Sequence, residues 1–278
     1  MSKSYRRIIT GLAIILVSSL ACRFGTSVPP TDDPTSIPPS PTPRELGPCN
    51  NIFYPFVQGS QWIYLVSGVQ ENSRIGLSVA GVEDSQAMID MLDLSTGLVT
   101  QSIVDCQDQA IVNLPLLTLG TLFGDIVAGE MTVEHVSGVF MPAEQEFVSA
   151  GWDLDWEGEY LAAGRLVIQD EGEEVNIILN DSPIRIFWQM EGQEQVSVPA
   201  DTYNQAYRIR RETTMDVSVD LDGIVVAGQL VLVTIQWHVP YVGMVKTEVD
   251  SAHLVYRSLT FPLQLDVKAE LVEFRDHR

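Results

Sequence analysis

From Trp62 onward the chain is written in short alternating or β-branched runs separated by turn-forming residues, and that rhythm constrains it more than any other feature. The runs cover 61–66, 74–80, 86–92, 98–104, 131–136, 161–169, 174–179, 184–189, 195–198, 206–212, 215–219, 225–236, 245–256 and 263–274. Asp170-Glu171-Gly172, Asn180-Asp181-Ser182, Glu191-Gly192 and Asp222-Gly223 stand between them, each with the chemistry of a hairpin turn. Alternation with a period of two fits one face on a core and one in water, so the expected class is all-β, antiparallel, with little helix. A strongly curved sheet or half-barrel is the expected architecture, with a two-sheet sandwich as the alternative. Only residues 114–123, which include Pro115 and Gly120, read as a short helix or an apolar loop. No repeat and no second linker divides 49–278, which reads as one domain.

The amino end is an address. Lys3, Arg6 and Arg7 precede a 14-residue stretch, 8–21, without a charge, shorter than the roughly 20 residues that span a bilayer core. Residues 1–21 therefore read as a cleaved signal. The string Ser19-Leu20-Ala21-Cys22 resembles a bacterial lipobox, which places a lipid on Cys22 and anchors the mature chain to a membrane on the far side from the cytoplasm. Residues 22–48 carry eight of the 15 prolines and seven Ser or Thr, the composition of an extended spacer.

Charge narrows the partners. The chain has 37 Asp and Glu against 16 Lys and Arg, a net charge of −21. Five of the bases and three of the acids precede residue 49, so 49–278 carries 34 acids, 11 bases and a charge of −23, with Lys246 and Lys268 its only lysines. Nucleic-acid binding draws on clustered Lys and Arg that this region lacks. Anionic lipid surfaces repel it as well, so the expected hold on the membrane is the lipid. With Cys22 lipidated, Cys49 and Cys106 remain as an even pair in an oxidising compartment, and a disulfide is expected between them. Closing a loop of about 57 residues stabilises by ~4 kcal/mol in the chain-entropy view.

Four segments carry a resemblance. Cys49, Asn51, Tyr54, Pro55, Gly59, Trp62, Tyr64 and Gly68 fit a Cys-x-Asn, Tyr-Pro, Gly-x-x-Trp-x-Tyr and Gly-turn opening. Val198, Pro199, Ala200, Tyr203 and Ala206 fit a Val-Pro-Ala-Gly-x-Phe-x-x-Ala segment, with Asp201 where the pattern has Gly. Trp237, Pro240, Val242, Gly243, Val245 and Lys246 fit Trp-x-x-Pro-x-Val-Gly-x-Val-Lys, and the final Glu-Leu-Val-Glu-Phe resembles a closing strand. Together they resemble a group of uncharacterised bacterial surface lipoproteins. The resemblance implies a shared shape and a lipoprotein life, and carries over no catalytic residue. Each motif also has a packing explanation: Trp62 and Tyr64, two apart, project from one strand face into a core.

The usual catalytic and cofactor signatures are missing: no Gly-x-Ser-x-Gly, Cys-x-x-Cys, His-Glu-x-x-His, phosphate loop or dinucleotide fingerprint. His135, His238 and His253 lie on three separate runs, where half-exposed strand positions are expected, and His277 lies in the terminal tail. The sharpest cluster is 152–160, where alternation puts Asp153, Asp155, Glu157 and Glu159 on one side and Trp152, Leu154, Trp156 and Tyr160 on the other. Such a row offers oxygens to a cation such as Ca²⁺, but an extended strand brings few of them to one ion, so a solvated acidic face is expected. The run 216–223 has Asp220-x-Asp222-Gly223 without the downstream Glu of an EF-hand, and reads as a hairpin. The sequence thus points to a non-enzymatic, lipid-anchored extracytoplasmic protein without a cofactor, acting in binding or envelope structure. The alternatives are a carrier sheltering an acyl chain or lipid on a concave sheet, with 114–123 as its lid, and a surface hydrolase.

Overall fold

The computed structural model describes residues 47–68, 73–113, 126–170, 173–221, 224–263 and 265–276. The signal, Cys22, most of the spacer, the 114–123 stretch and His277 lie outside them. The chain forms β1 Gln61–Ser67, β2 Ser73–Glu83, β3 Gln86–Asp93, β4 Val99–Gln107, β5 Ala110–Ile111 and β6 Ile126–Gly138. After the helix α1 Glu144–Ser149 come β7 Asp155–Asp170, β8 Glu173–Val198, β9 Asp201–Leu221, β10 Ile224–Val239, β11 Gly243–Tyr256, β12 Leu259–Leu263 and β13 Lys268–Arg275. All pair antiparallel in one 13-stranded sheet of order β5-β4-β3-β2-β1-β13-β11-β10-β9-β8-β7-β6, with β12 beside β11. It is a single open, curled sheet, as the alternation predicted, rather than a sandwich of two. Two meanders, β1 to β5 and β6 to β11, are joined by the last strand: β13 pairs β1 over Gln61–Ser67 and meets β11 at Lys246, Thr247 and Glu248. Among the described residues no helix is long and apolar enough to cross a membrane.

Two expected turns are not turns. The runs 174–179, 184–189 and 195–198 form one 26-residue strand, β8, and both Asn180-Asp181-Ser182 and Glu191-Gly192 lie inside it. Each coincides with a register shift against β9, between Ile178 and Ile184 and between Met190 and Gly192. A bulge lets a long strand bend without leaving its ladder, and polar or glycine residues tolerate the backbone that a bulge requires. β7 shifts register between Ala162 and Gly164, beside the first of these bulges, so neighbouring strands bend together. The runs 206–212 and 215–219 likewise merge in β9, whereas 263–274 divides between β12 and β13. The Pro199-Ala200 turn does join β8 to β9, where Val198 pairs with Asp201.

The inner face of the curl is filled by chain that precedes and interrupts the sheet. Phe53 meets Phe147 of α1 at 5.1 Å and Tyr207 of β9 at 5.3 Å between ring centroids. Phe140 packs edge-on against Trp188, which stacks on Trp156. Cys49 and Cys106 are joined in the expected disulfide, with Cα atoms 5.2 Å apart, tying this plug to β4. Asn51 is wholly buried and holds the plug by donating from Nδ2 to Gln109 O and Pro142 O, while its Oδ1 accepts the Phe53 N–H.

Candidate functional site

Alternation decides which side chains reach the inner face. On β1 these are Trp62, Tyr64 and Val66; their partners are Leu77 and Ile75 on β2 and Leu271 and Ala269 on β13. The plug stops short of covering this end, and Tyr54-Pro55-Phe56 forms one wall of an apolar cleft of about 80 Å³. Trp62, Tyr64, Ile75, Leu77, Ile89 and Met91 line the rest, and Gly243 and Met244 close its rim.

The rim is built by hydrogen bonds that orient the aromatics. Trp62 Nε1 donates to Val242 O at 2.6 Å and Tyr64 Oη donates to Met244 O at 2.8 Å, so both rings present apolar surface to the cleft with their polar atoms satisfied. Between these two acceptors, Gly243 adopts φ 103°, and a Cβ there would lie 3.4 Å from Trp62 Nε1 and 3.5 Å from Phe53 O. The opening motif and the Trp-x-x-Pro-x-Val-Gly motif thus meet in space, and their residues serve the cleft as well as the core.

Beside the cleft, under the plug, the inner face turns polar. On β9 the inward phase runs Ile209, Arg211, Thr213, Met215, all buried. Opposite them on β10 are Gln236, Thr234 and Leu232, and His238 continues the row. Arg211 is only 3% exposed, and among the described residues no carboxylate lies within ion-pair distance of it. Burial lowers its pKa, and the nearby Tyr54 partly restores it. Burial pushes the Tyr54 hydroxyl up to about 12, against the pull of the Arg211 charge, so this phenol is neutral and able to donate. Burial also raises Tyr64. His238 is fully buried, a correction to the expected half-exposed position. Desolvation holds its pKa down to about 3, the Phe53 backbone opposes this and the Arg211 charge adds to it. It is therefore neutral at ordinary pH.

The other sequence candidates lie away from this site. Within β7 the acidic row stands as the alternation predicts, with Asp155 and Glu157 exposed and Trp156 and Tyr160 buried behind them, whereas Asp153, also exposed, precedes the strand after a turn in which Trp152 has φ 64°. Glu159 meets Arg185, directly opposite on β8, at 3.2 Å and accepts from Ser137 Oγ. No group of three or more His, Cys, Asp or Glu able to hold a metal ion is assembled among the described residues. Asp222 and Gly223 of the second acidic run lie outside them. His135 Nε2 donates to Gly138 O at 2.9 Å, and none of His135, His238 and His253 pairs with a carboxylate among the described residues.

Arg211 is the residue that sequence reasoning missed. Its signal was phase: in Arg208-Ile209-Arg210-Arg211-Glu212-Thr213 it shares the parity of Ile209 and Thr213, whereas Arg210 and Glu212 point out and pair at 3.0 Å.

No protein-family model matches the chain, and no curated protein matches it. Two solved structures are similar in trace. One is a candidate exported protein with a YmcC-like fold from Bacteroides fragilis, with 12% identity, a TM-score of 0.44, and coverage of 81% of this chain and 100% of that one. The other is a candidate lipoprotein from Parabacteroides distasonis, with 14% identity, a TM-score of 0.44, and coverage of 81% and 99%.

Proposed function

We propose that the chain is an extracytoplasmic protein held on a membrane by a lipid at Cys22, and that its sheet domain binds an amphipathic or apolar small ligand rather than catalysing a reaction. The apolar cleft carries the binding part of this reading. At about 80 Å³ it is smaller than the ~300–1,000 Å³ of sites that enclose whole drug-sized molecules, so it fits an apolar portion such as a short alkyl segment. The lipobox-like string, the Pro-rich spacer and the resemblance to surface lipoproteins support the anchor. The Cys49–Cys106 disulfide supports an oxidising compartment.

Native mass spectrometry of the full chain, released from a non-ionic detergent and titrated with decan-1-ol, tests the cleft. One alkanol per chain is expected, with the adduct lost in Leu77→Trp, which fills the cleft. An alkanol that never binds, or that binds the filled variant equally well, contradicts the reading.

A further inference from the structure

The inner face strands a set of hydrogen-bond donors in one place. Arg211 Nε, Trp188 Nε1, Thr213 Oγ1, Thr234 Oγ1 and the Tyr54 hydroxyl are all buried and have no partner among the described residues. The pairing register puts Trp188 opposite Arg211 on one side and Thr234 opposite it on the other, and Thr213 is the next inward residue along β9. Opposite residues of antiparallel strands stand about 5 Å apart and successive residues on one face about 7 Å, so these groups flank Arg211 on the same face of the sheet. Arg and indole N–H groups can only donate, and the three hydroxyls are free to do so. Buried polar groups are almost always paired, and a buried cation without an anion is costly; a convergent set of unpaired donors around one charge therefore describes the complement of an anion.

We propose that Arg211, with Trp188, Thr213, Thr234 and Tyr54, receives the carboxylate of an amphipathic ligand whose alkyl part lies in the adjoining cleft. This rests on the cleft reading above and deepens it by naming the head group. Tyr54 links the two parts, since its ring lines the cleft and its hydroxyl lies within electrostatic reach of Arg211. The choice of carboxylate follows from charge and shape. One guanidinium balances one negative charge, and the other donors are neutral. The neighbouring His238 is neutral too, so a dianionic phosphate would leave a buried charge uncompensated. The planar fork of Arg also matches the two oxygens of a carboxylate.

The test is native mass spectrometry of the full chain with decanoate, decan-1-ol and acetate, together with unfolding temperatures of the unliganded variants. Decanoate is expected to bind one per chain and at least about 10-fold more tightly than decanol, because a charge-assisted hydrogen bond contributes more than a neutral one. Arg211→Met is expected to lose decanoate affinity on the order of 100-fold and to keep decanol. Its unliganded unfolding temperature should not fall, because an unpaired buried charge has been replaced by an apolar side chain. If that variant does not fold, Thr234→Val carries the test, with a several-fold loss of decanoate preference expected. Equal affinity for decanoate and decanol overturns the head-group assignment while leaving the cleft reading intact. So does a large fall in unfolding temperature of Arg211→Met that Arg211→Lys restores, because Arg211 then has a partner within the chain. Acetate binding as tightly as decanoate overturns the joint site, and failure of both decanoate and decanol overturns the cleft reading itself.

Discussion

Asn51 joins three stretches of chain through one carboxamide, at 2.7 to 2.9 Å. Replacing it with Ala strands two carbonyls and an N–H in the interior. At about 1–3 kcal/mol for each buried unpaired group, Asn51→Ala is expected to lower stability by at least ~3 kcal/mol, read as a fall in urea midpoint with an unchanged slope. His238 gives a pH dependence of known sign. Its folded pKa of about 3 lies below its unfolded value near 6.5, so the unfolded state binds the extra proton. The stability that follows from keeping it neutral is full above pH 6.5 and is lost as pH falls towards 3, by up to ~1.4 kcal/mol per pH unit. Tyr54 faces it from the plug, 5.4 Å away between rings, and Arg211 from β9; neither changes protonation in that window. Urea midpoints measured from pH 7 to 4 should fall in the wild type and fall less in His238→Asn.

The elements show where pattern is legible and where it misleads. Strand positions and faces follow from parity because a pleated strand has no choice about alternation: Trp62, Tyr64, Trp156 and Tyr160 all point inward as their spacing requires. Strand ends are less legible, because Asn-Asp-Ser and Glu-Gly serve a hairpin turn and a bulge equally well. Only the partner strand decides between them, and here β9 runs unbroken alongside and keeps β8 in the ladder. The plug was invisible for a related reason: 49–57 has no periodicity, and its order comes from Asn51, the disulfide and the aromatic contacts of Phe53. Reducing the Cys49–Cys106 bond is therefore expected to loosen the plug before the sheet. The loss should be about 4 kcal/mol, seen as a drop of roughly 10 °C in the unfolding temperature in the presence of reductant.

At the scale of the whole molecule, acidity sets how the protein meets its surroundings. Its two domain lysines are both engaged, Lys246 with Glu248 and the Trp237 ring and Lys268 with Glu270, so they add little free positive potential. A domain with a charge of −23 has no electrostatic hold on anionic lipid. Cys22→Ala is expected to move the chain from the membrane fraction to the soluble one, which cell fractionation reads directly. The all-β class, the disulfide pair and the outward acidic row were legible along the chain, because each depends on parity, composition or counting. Packing between strands was needed to choose one curled sheet over a sandwich, to turn hairpin-like residues into bulges, to seal His238 inside, and to open a cleft whose Tyr54 wall lies within electrostatic reach of Arg211. Those features depend on which strands lie next to one another, and the β1–β13–β11 join brings together residues as far apart as Trp62 and Val242, whose proximity no local pattern records.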